Sequence, residues 1–183
     1  MRKKRRWSIL FLLAFLCGCA SSREEREFEQ WRAGLVAAEE IRFDAELTAR
    51  WEDAVDSFTV RVVCADGETA ATITAPETIA GITFRRGAAD TLTFDGLILD
   101  MDAGHTNAVA PCEGPALLLA AIRDGWPLSF SRAGEGDAVE LEAPGGEVVT
   151  LFRAPDGTPL SAAIARDGVT ELTLRIEHWQ TKE

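Results

Sequence analysis

Apolar and polar residues alternate along most of the chain beyond residue 40. The clearest segment separates six apolar residues by charged or polar ones: Ile41, Phe43, Ala45, Leu47, Ala49 and Trp51. Successive side chains of a strand point to opposite faces, so this period of two predicts a strand with one apolar face. The same reading gives eleven strand segments: 41–52, 58–64, 69–75, 82–86, 91–95, 97–102, 128–132, 138–143, 148–153, 160–165 and 170–179.

Glycine-containing pairs separate many of these segments. Asp66-Gly67, Asp95-Gly96 and Asp167-Gly168 supply the left-handed backbone that a two-residue hairpin turn requires. Most connections are too short for a crossover helix, which a parallel pair of strands would need. The pattern therefore predicts an antiparallel meander.

Two segments have a helical period instead. Residues 23–40 place Phe28, Trp31, Leu35 and Ala38 at steps of three and four, which predicts an amphipathic helix. Residues 115–124 are apolar on most of the helix circumference, so this second helix is expected to be buried. The predicted fold class is mainly β (α+β): one curved antiparallel sheet, a half-barrel of about nine to eleven strands, covered by the N-terminal helix and the short central helix.

The first nineteen residues read as an export signal. Five basic residues precede an apolar stretch that is shorter than a membrane span. The segment Leu16-Cys17-Gly18-Cys19 resembles a bacterial lipobox, in which lipid is attached to the second cysteine. The alternatives are an ordinary signal peptide or an uncleaved anchor. We predict a lipoprotein signal peptide at 1–18, a lipidated Cys19 with acyl chains of the palmitate class and a short tether at 19–26, and one domain at 27–179.

Charge and cysteine content fit an exported protein. Removing the five basic residues of the signal leaves 14 basic against 30 acidic side chains, a formal charge of −16. Nucleic acid and anionic surfaces are poor partners for that charge. Cys64 and Cys112 form either a disulfide or two unlinked buried thiols.

The chain contains no catalytic or phosphate-binding motif that we recognise. Asp100, Asp102 and His105 are the best candidates for a metal site, but a solvated outer strand face explains them better because further ligands cannot be named. His178 shares strand parity with Leu172 and is read as packing or solvent contact. We therefore predict no enzyme activity, no metal and no cofactor.

The order of elements resembles the half-barrel of the outer-membrane lipoprotein carrier family, LolA and LolB. The resemblance runs from about Glu27 to Trp179 behind the lipobox, and the segment Pro76-Glu77-Thr78-Ile79-Ala80-Gly81 is similar to a turn in some related lipoproteins. It implies binding of acyl chains or other apolar ligands in the concavity. Some germination lipoproteins of similar fold instead bind a cell-wall amidase.

These observations predict a lipid-anchored, extracytoplasmic lipoprotein of the cell membrane or outer membrane, with an acyl chain or other apolar ligand as its partner. The candidate cavity-lining residues are Phe43, Val60, Ile73, Phe84, Leu99, Leu118 and Ile122. The alternative is a cell-envelope module with a filled core that binds a protein partner, in the manner of a germination lipoprotein and its amidase.

The lipobox generates a direct prediction. We expect Cys19→Ser to leave full-length, unlipidated precursor, because serine lacks the thiol that accepts the diacylglyceryl group. Intact-mass measurement of the protein extracted from cells would show this difference from the parent chain. The same processed mass for both proteins would contradict it.

Overall fold

The computed structural model describes residues 23–51, 54–100 and 111–182. Helix α1 spans Arg23–Ala37, a short 3₁₀ helix spans Pro111–Glu113, and α2 spans Gly114–Asp124. The strands are β1 (Glu40–Trp51), β2 (Ala54–Ala65), β3 (Glu68–Ala75), β4 (Thr83–Arg86), β5 (Thr91–Phe94), β6 (Leu97–Asp100), β7 (Trp126–Ala133), β8 (Gly136–Glu142), β9 (Val148–Arg153), β10 (Pro159–Arg166) and β11 (Val169–Lys182).

All eleven strands of the described ranges belong to one antiparallel sheet. Their order is β6-β5-β4-β3-β2-β1-β11-β10-β9-β8-β7. Two meanders are thus joined by the pairing of β1 with β11, and β6 and β7 form the edges. This curved open sheet with two helices confirms the predicted mainly β half-barrel.

The predicted alternation appears directly in the burial of β1. Ile41, Phe43 and Ala45 are buried, whereas the intervening Arg42 is exposed and Asp44 is partly buried. Twelve consecutive residue pairs keep β1 in register with β2. One face of the sheet therefore supplies the core, and the other carries most of the charge.

Three tight turns follow the predicted Asp-Gly chemistry. Both residues are left-handed in Asp66-Gly67 (φ 52° and 77°), Asp95-Gly96 (48° and 80°) and Asp167-Gly168 (51° and 79°). Two consecutive positive φ values match the right-handed twist of the flanking strands. These turns fix the register of the β2–β3, β5–β6 and β10–β11 hairpins.

The predicted N-terminal helix is three residues too long, because α1 ends at Ala37 rather than at residue 40. Glu40 instead begins β1 and pairs with both Ala65 and Lys182. The Glu39 backbone N–H also donates to the Lys182 carbonyl oxygen at 2.8 Å. Pairing on both sides of β1 therefore overrides the helical pattern in these last residues.

A bulge in β11 changes the expected direction of His178. Asp44 pairs with Glu177 and Arg42 with Gln180, so two residues of β11 lie opposite Phe43. His178 takes the left-handed conformation (φ 53°) and is exposed, whereas Trp179 stacks on Phe43 with ring centroids 5.0 Å apart. His178 thus makes the solvent contact that the sequence allowed, and the bulge explains why it does not share the core face of Leu172.

Helix α2 lies in the chain between the two edge strands, β6 and β7. It contacts β3, β8, β10 and β11, and most of its side chains are buried, as its apolar circumference predicts. At its first residue, a Cβ on Gly114 would come within 2.9 Å of Leu172 Cδ1. The glycine therefore permits the helix to approach the concave face of the sheet closely.

Leu118 lies at the centre of this contact and is fully buried. We expect Leu118→Ala to lower the free energy of unfolding by about 3 kcal/mol through lost burial and a cavity. Leu118→Asp should cost more, because its charge would be unpaired in the core. Denaturant unfolding measures both, with Leu160→Ala on exposed β10 surface as the control. A Leu118→Asp variant as stable as the parent chain would show that α2 does not pack on the sheet.

Candidate functional site

The middle of the concave face is filled by side chains. Six of the seven predicted cavity-lining residues are at most 6% exposed: Phe43, Val60, Ile73, Phe84, Leu118 and Ile122. All but Phe84 belong to one continuous cluster with α1 and α2. Their role in the described structure is core packing, and their contact with a ligand remains a prediction.

Leu99, the seventh residue, lies outside this packed region. Cross-strand pairs connect Val62 to Ala71, Ala71 to Phe84, Phe84 to Leu92, and Leu92 to Leu99. Directly paired residues share a face of a sheet, so Leu99 lies on the same concave face as the core. It is nevertheless 58% exposed.

Leu99 is one of four apolar residues that continue the concave face beyond the helices. We call this group the open end: Leu92, Phe94, Leu97 and Leu99. Leu92 is partly buried, whereas Phe94 and Leu97 are 42% and 69% exposed. Phe94 pairs with Leu97, which places both on the face of Leu92 and Leu99. The open end is thus an apolar surface continuous with the core.

The opposite face of the same strands is polar except for Ile98. Thr72 pairs with Thr83, Thr83 with Thr93, and Thr93 with Ile98. The Thr72 and Thr83 hydroxyl oxygens lie 2.9 Å apart. Ile98 is exposed like its neighbours Leu97 and Leu99 but lies on the outer, convex face.

A small second cluster forms the inner boundary of the open end. Phe84, Cys112 and Ala116 are buried together, and Leu92 packs against them. Burial, and secondly the charge of Glu113, raises the pKa of the Cys112 thiol to about 11. Cys112 is therefore a neutral, apolar wall residue at physiological pH rather than an activated nucleophile.

Cys64 lies in the main cluster and accepts a hydrogen bond from the Thr69 hydroxyl at 3.2 Å. Both Cys64 and Cys112 are free thiols in the structure. Of the two alternatives that the sequence allows, the structure thus contains the unlinked one.

One ion pair borders the open end on its concave side. Arg86 pairs across the sheet with buried Thr69, which places it on the core side of β4. Its Nε donates to Asp90 Oδ2 at 3.2 Å, and its Cζ lies 5.7 Å from the centroid of the Phe84 ring. This is the polar boundary of an otherwise apolar surface.

A separate groove of about 1150 Å³ lies between α1 and the β7 side of the sheet. Trp31, Phe130 and Arg153 are among its lining residues. The Arg153 guanidinium is 4.5 Å from the Trp31 ring centroid and pairs with Asp137, whose Oδ1 accepts from Nε at 3.2 Å. Because charged groups lie throughout this groove, it suits an acyl chain less well than the open end does.

Of the candidate metal-site residues Asp100, Asp102 and His105, the structure describes only Asp100. Asp100 pairs with Thr91 on the convex face, and Cys19, Asp102 and His105 lie outside the described residues. In residues 23–51, 54–100 and 111–182, no three or more His, Cys, Asp or Glu side chains group closely enough to hold a metal ion. None of the helices in these ranges is long and apolar enough to cross a membrane.

Sequence reasoning missed Phe94, Leu97 and Arg86 as site residues. The run Leu97-Ile98-Leu99 lacks the alternation of the longer strands, and this is a signal that could have indicated exposed apolar surface. Nothing in the sequence alone identifies Arg86 as facing inward, since Arg85 is its neighbour and only the cross-strand register separates them.

Comparison with known proteins supports the fold. No family model and no curated protein sequence matches the chain. A candidate outer membrane lipoprotein-sorting protein domain from Vibrio parahaemolyticus superposes with a TM-score of 0.50 at 12% identity, covering 85% of this chain and 91% of that one. A LolA superfamily protein from Nitrosomonas europaea gives 0.48 at 11% identity, covering 89% and 95%.

The Mycobacterium tuberculosis lipoprotein LppX is a more distant match, with a TM-score of 0.39 at 12% identity, covering 84% of this chain and 93% of that one. The fold of this chain is LolA-like, as the order of elements predicted. At these identities the likeness concerns the fold alone.

Proposed function

We propose that this chain is a membrane-anchored envelope lipoprotein that binds an acyl chain or other apolar ligand at the open end, without chemical change. The observation that carries the proposal is the exposure of Phe94, Leu97 and Leu99 on the same face as the buried core. Within the described part of the chain, neither helix covers these side chains. A ligand that covered them would extend the existing core.

The hydrophobic effect suffices for such binding. Each methylene group withdrawn from water contributes about 0.8 kcal/mol, so a long chain binds without specific polar contacts. The second cluster, around Phe84, provides a buried wall against which the first part of the ligand packs. Phe94 and Leu97 provide the exposed continuation. The surface therefore suits an elongated apolar molecule.

The anchor in this proposal is the lipid on Cys19. Three residues separate Cys19 from Arg23, where α1 begins. Since an extended chain spans at most about 3.6 Å per residue, the domain would lie within about 15 Å of the anchored cysteine. Residues 19–22 would thus hold the domain close to the membrane that supplies or receives the ligand, in an extracytoplasmic location.

A protein-interaction module is the second candidate function, and two observations favour it. The middle of the concave face is filled, as this alternative requires. In addition, β6 is an edge strand whose residues Leu97, Ile98 and Leu99 present apolar groups to both faces. An envelope protein that added a strand to β6 would contact Ile98 as well as its neighbours, whereas an acyl chain on the concave face would not.

Native mass spectrometry of the processed chain, challenged with fatty acids and phospholipids, tests the proposal. We expect bound lipid in the parent chain and at least tenfold weaker binding for Leu97→Asp/Leu99→Asp, because carboxylates would replace the apolar contacts. Ile98→Asp is the matched control, since it adds a charge to the same strand on the convex face, and its binding should be unchanged.

Two outcomes would overturn the carrier proposal. One is the absence of any bound lipid, together with an envelope protein that co-purifies in fixed ratio and is lost in Ile98→Asp. The other is equal loss of lipid in the concave and convex variants. The first result would establish the interaction module in its place.

A further inference from the structure

The geometry points to an anionic amphiphile as the ligand of the open end, with its acidic head group held by Arg86 and its chain lying over Leu92, Leu99 and Leu97. This inference rests on the proposed function and adds the chemical class of the ligand. Its basis is the position of a single guanidinium at the boundary of the apolar surface.

Arg86 is the more accessible member of its ion pair. Its side chain is 30% exposed, whereas that of Asp90 is 16% exposed. The hydrogen bond to Asp90 uses Nε, and no other partner of the guanidinium is found within the described residues. The two Nη groups can therefore donate to a carboxylate or phosphate, and the bond to Asp90 fixes the direction in which they point.

The apolar surface begins directly beside this guanidinium. Arg86 Cζ lies over the Phe84 ring, and Leu92 packs against the cluster that contains Phe84. From Asp90 to Phe94 the sheet extends about 13 Å at roughly 3.3 Å per residue. A ligand with its head at Arg86 would thus lay a single acyl chain along β5 and β6.

The other charged side chains of β4, β5 and β6 do not lie between the head group and the chain. Arg85 and Asp100 belong to the convex face, where Arg85 pairs with Glu68 at 2.6 Å. Asp95 lies in the turn at the far end of β5. The acidic charge of the whole chain acts weakly here, because salt screens exposed charges beyond about 8 Å.

Photolabelling of the full chain in isolated membranes tests the inference. The probes are hexadecanoic acid and hexadecanol that each carry a photoactivatable diazirine on the chain. Label on the peptide that contains residues 91–100 is measured by mass spectrometry. Label on residues 159–168 of the same chain corrects for partition of each probe into the membrane.

We expect the acid to reach half-maximal labelling at about one tenth of the concentration of the alcohol. One charge-assisted hydrogen bond increases affinity by about tenfold. Arg86→Gln should remove this preference, and Arg86→Lys should restore part of it. Arg85→Gln is the matched control, one residue away on the opposite face, and should keep the full preference. If Arg86→Gln does not fold, the preference for acid over alcohol is compared between Arg86→Lys and Arg85→Gln. A smaller preference in Arg86→Lys supports the inference, and an equal preference contradicts it.

Equal labelling by acid and alcohol in the parent chain would overturn the inference while leaving the proposed function intact. An acid preference that Arg85→Gln removes as fully as Arg86→Gln would also overturn it. Absence of specific label at residues 91–100 with both probes would instead contradict the proposed function itself.

Discussion

The pairing of β1 with β11 is the contact on which the rest of this structure depends. It joins residues near the two ends of the domain, from Glu40 with Lys182 to Ala49 with Leu172, and so unites two meanders in one sheet. Helix α2 packs on strands of both meanders, which therefore share one core. The bulge at His178 adjusts this pairing so that Trp179 covers Phe43 and contributes to the core.

The open end results from the difference between the width of the sheet and the length of the helices that pack on it. Eleven strands at about 4.8 Å spacing form a sheet about 48 Å wide, whereas α2, with eleven residues, is about 16 Å long. Helix α1 packs toward β7 through Phe28, whose ring lies 5.8 Å from that of Phe130. Among the described residues, the two helices thus cover the middle and the β7 side, and Phe94, Leu97 and Leu99 on the concave face of β5 and β6 stay exposed.

The sequence predicts the fold well because the signals for strands and turns are local. The period of two in β1 and the Asp-Gly turns recur in the structure almost as predicted. The extent of the concavity was less predictable, because whether Phe84 is buried and Leu99 exposed depends on which strands the helices reach. Likewise, Arg85 and Arg86 differ only through register with β3, a long-range property that no local pattern contains.

In the proposed complex, an apolar ligand occupies the open end while the middle of the concave face stays filled. The most direct test is a crystal structure of the domain with a bromine-labelled fatty acid, in which anomalous scattering locates the bromine. We expect a bromine peak over the concave side of β5 and β6, within contact of Phe94 or Leu97. A peak among Val139, Leu141 and Leu151 beneath the helices, or on the convex side at Ile98, would contradict it.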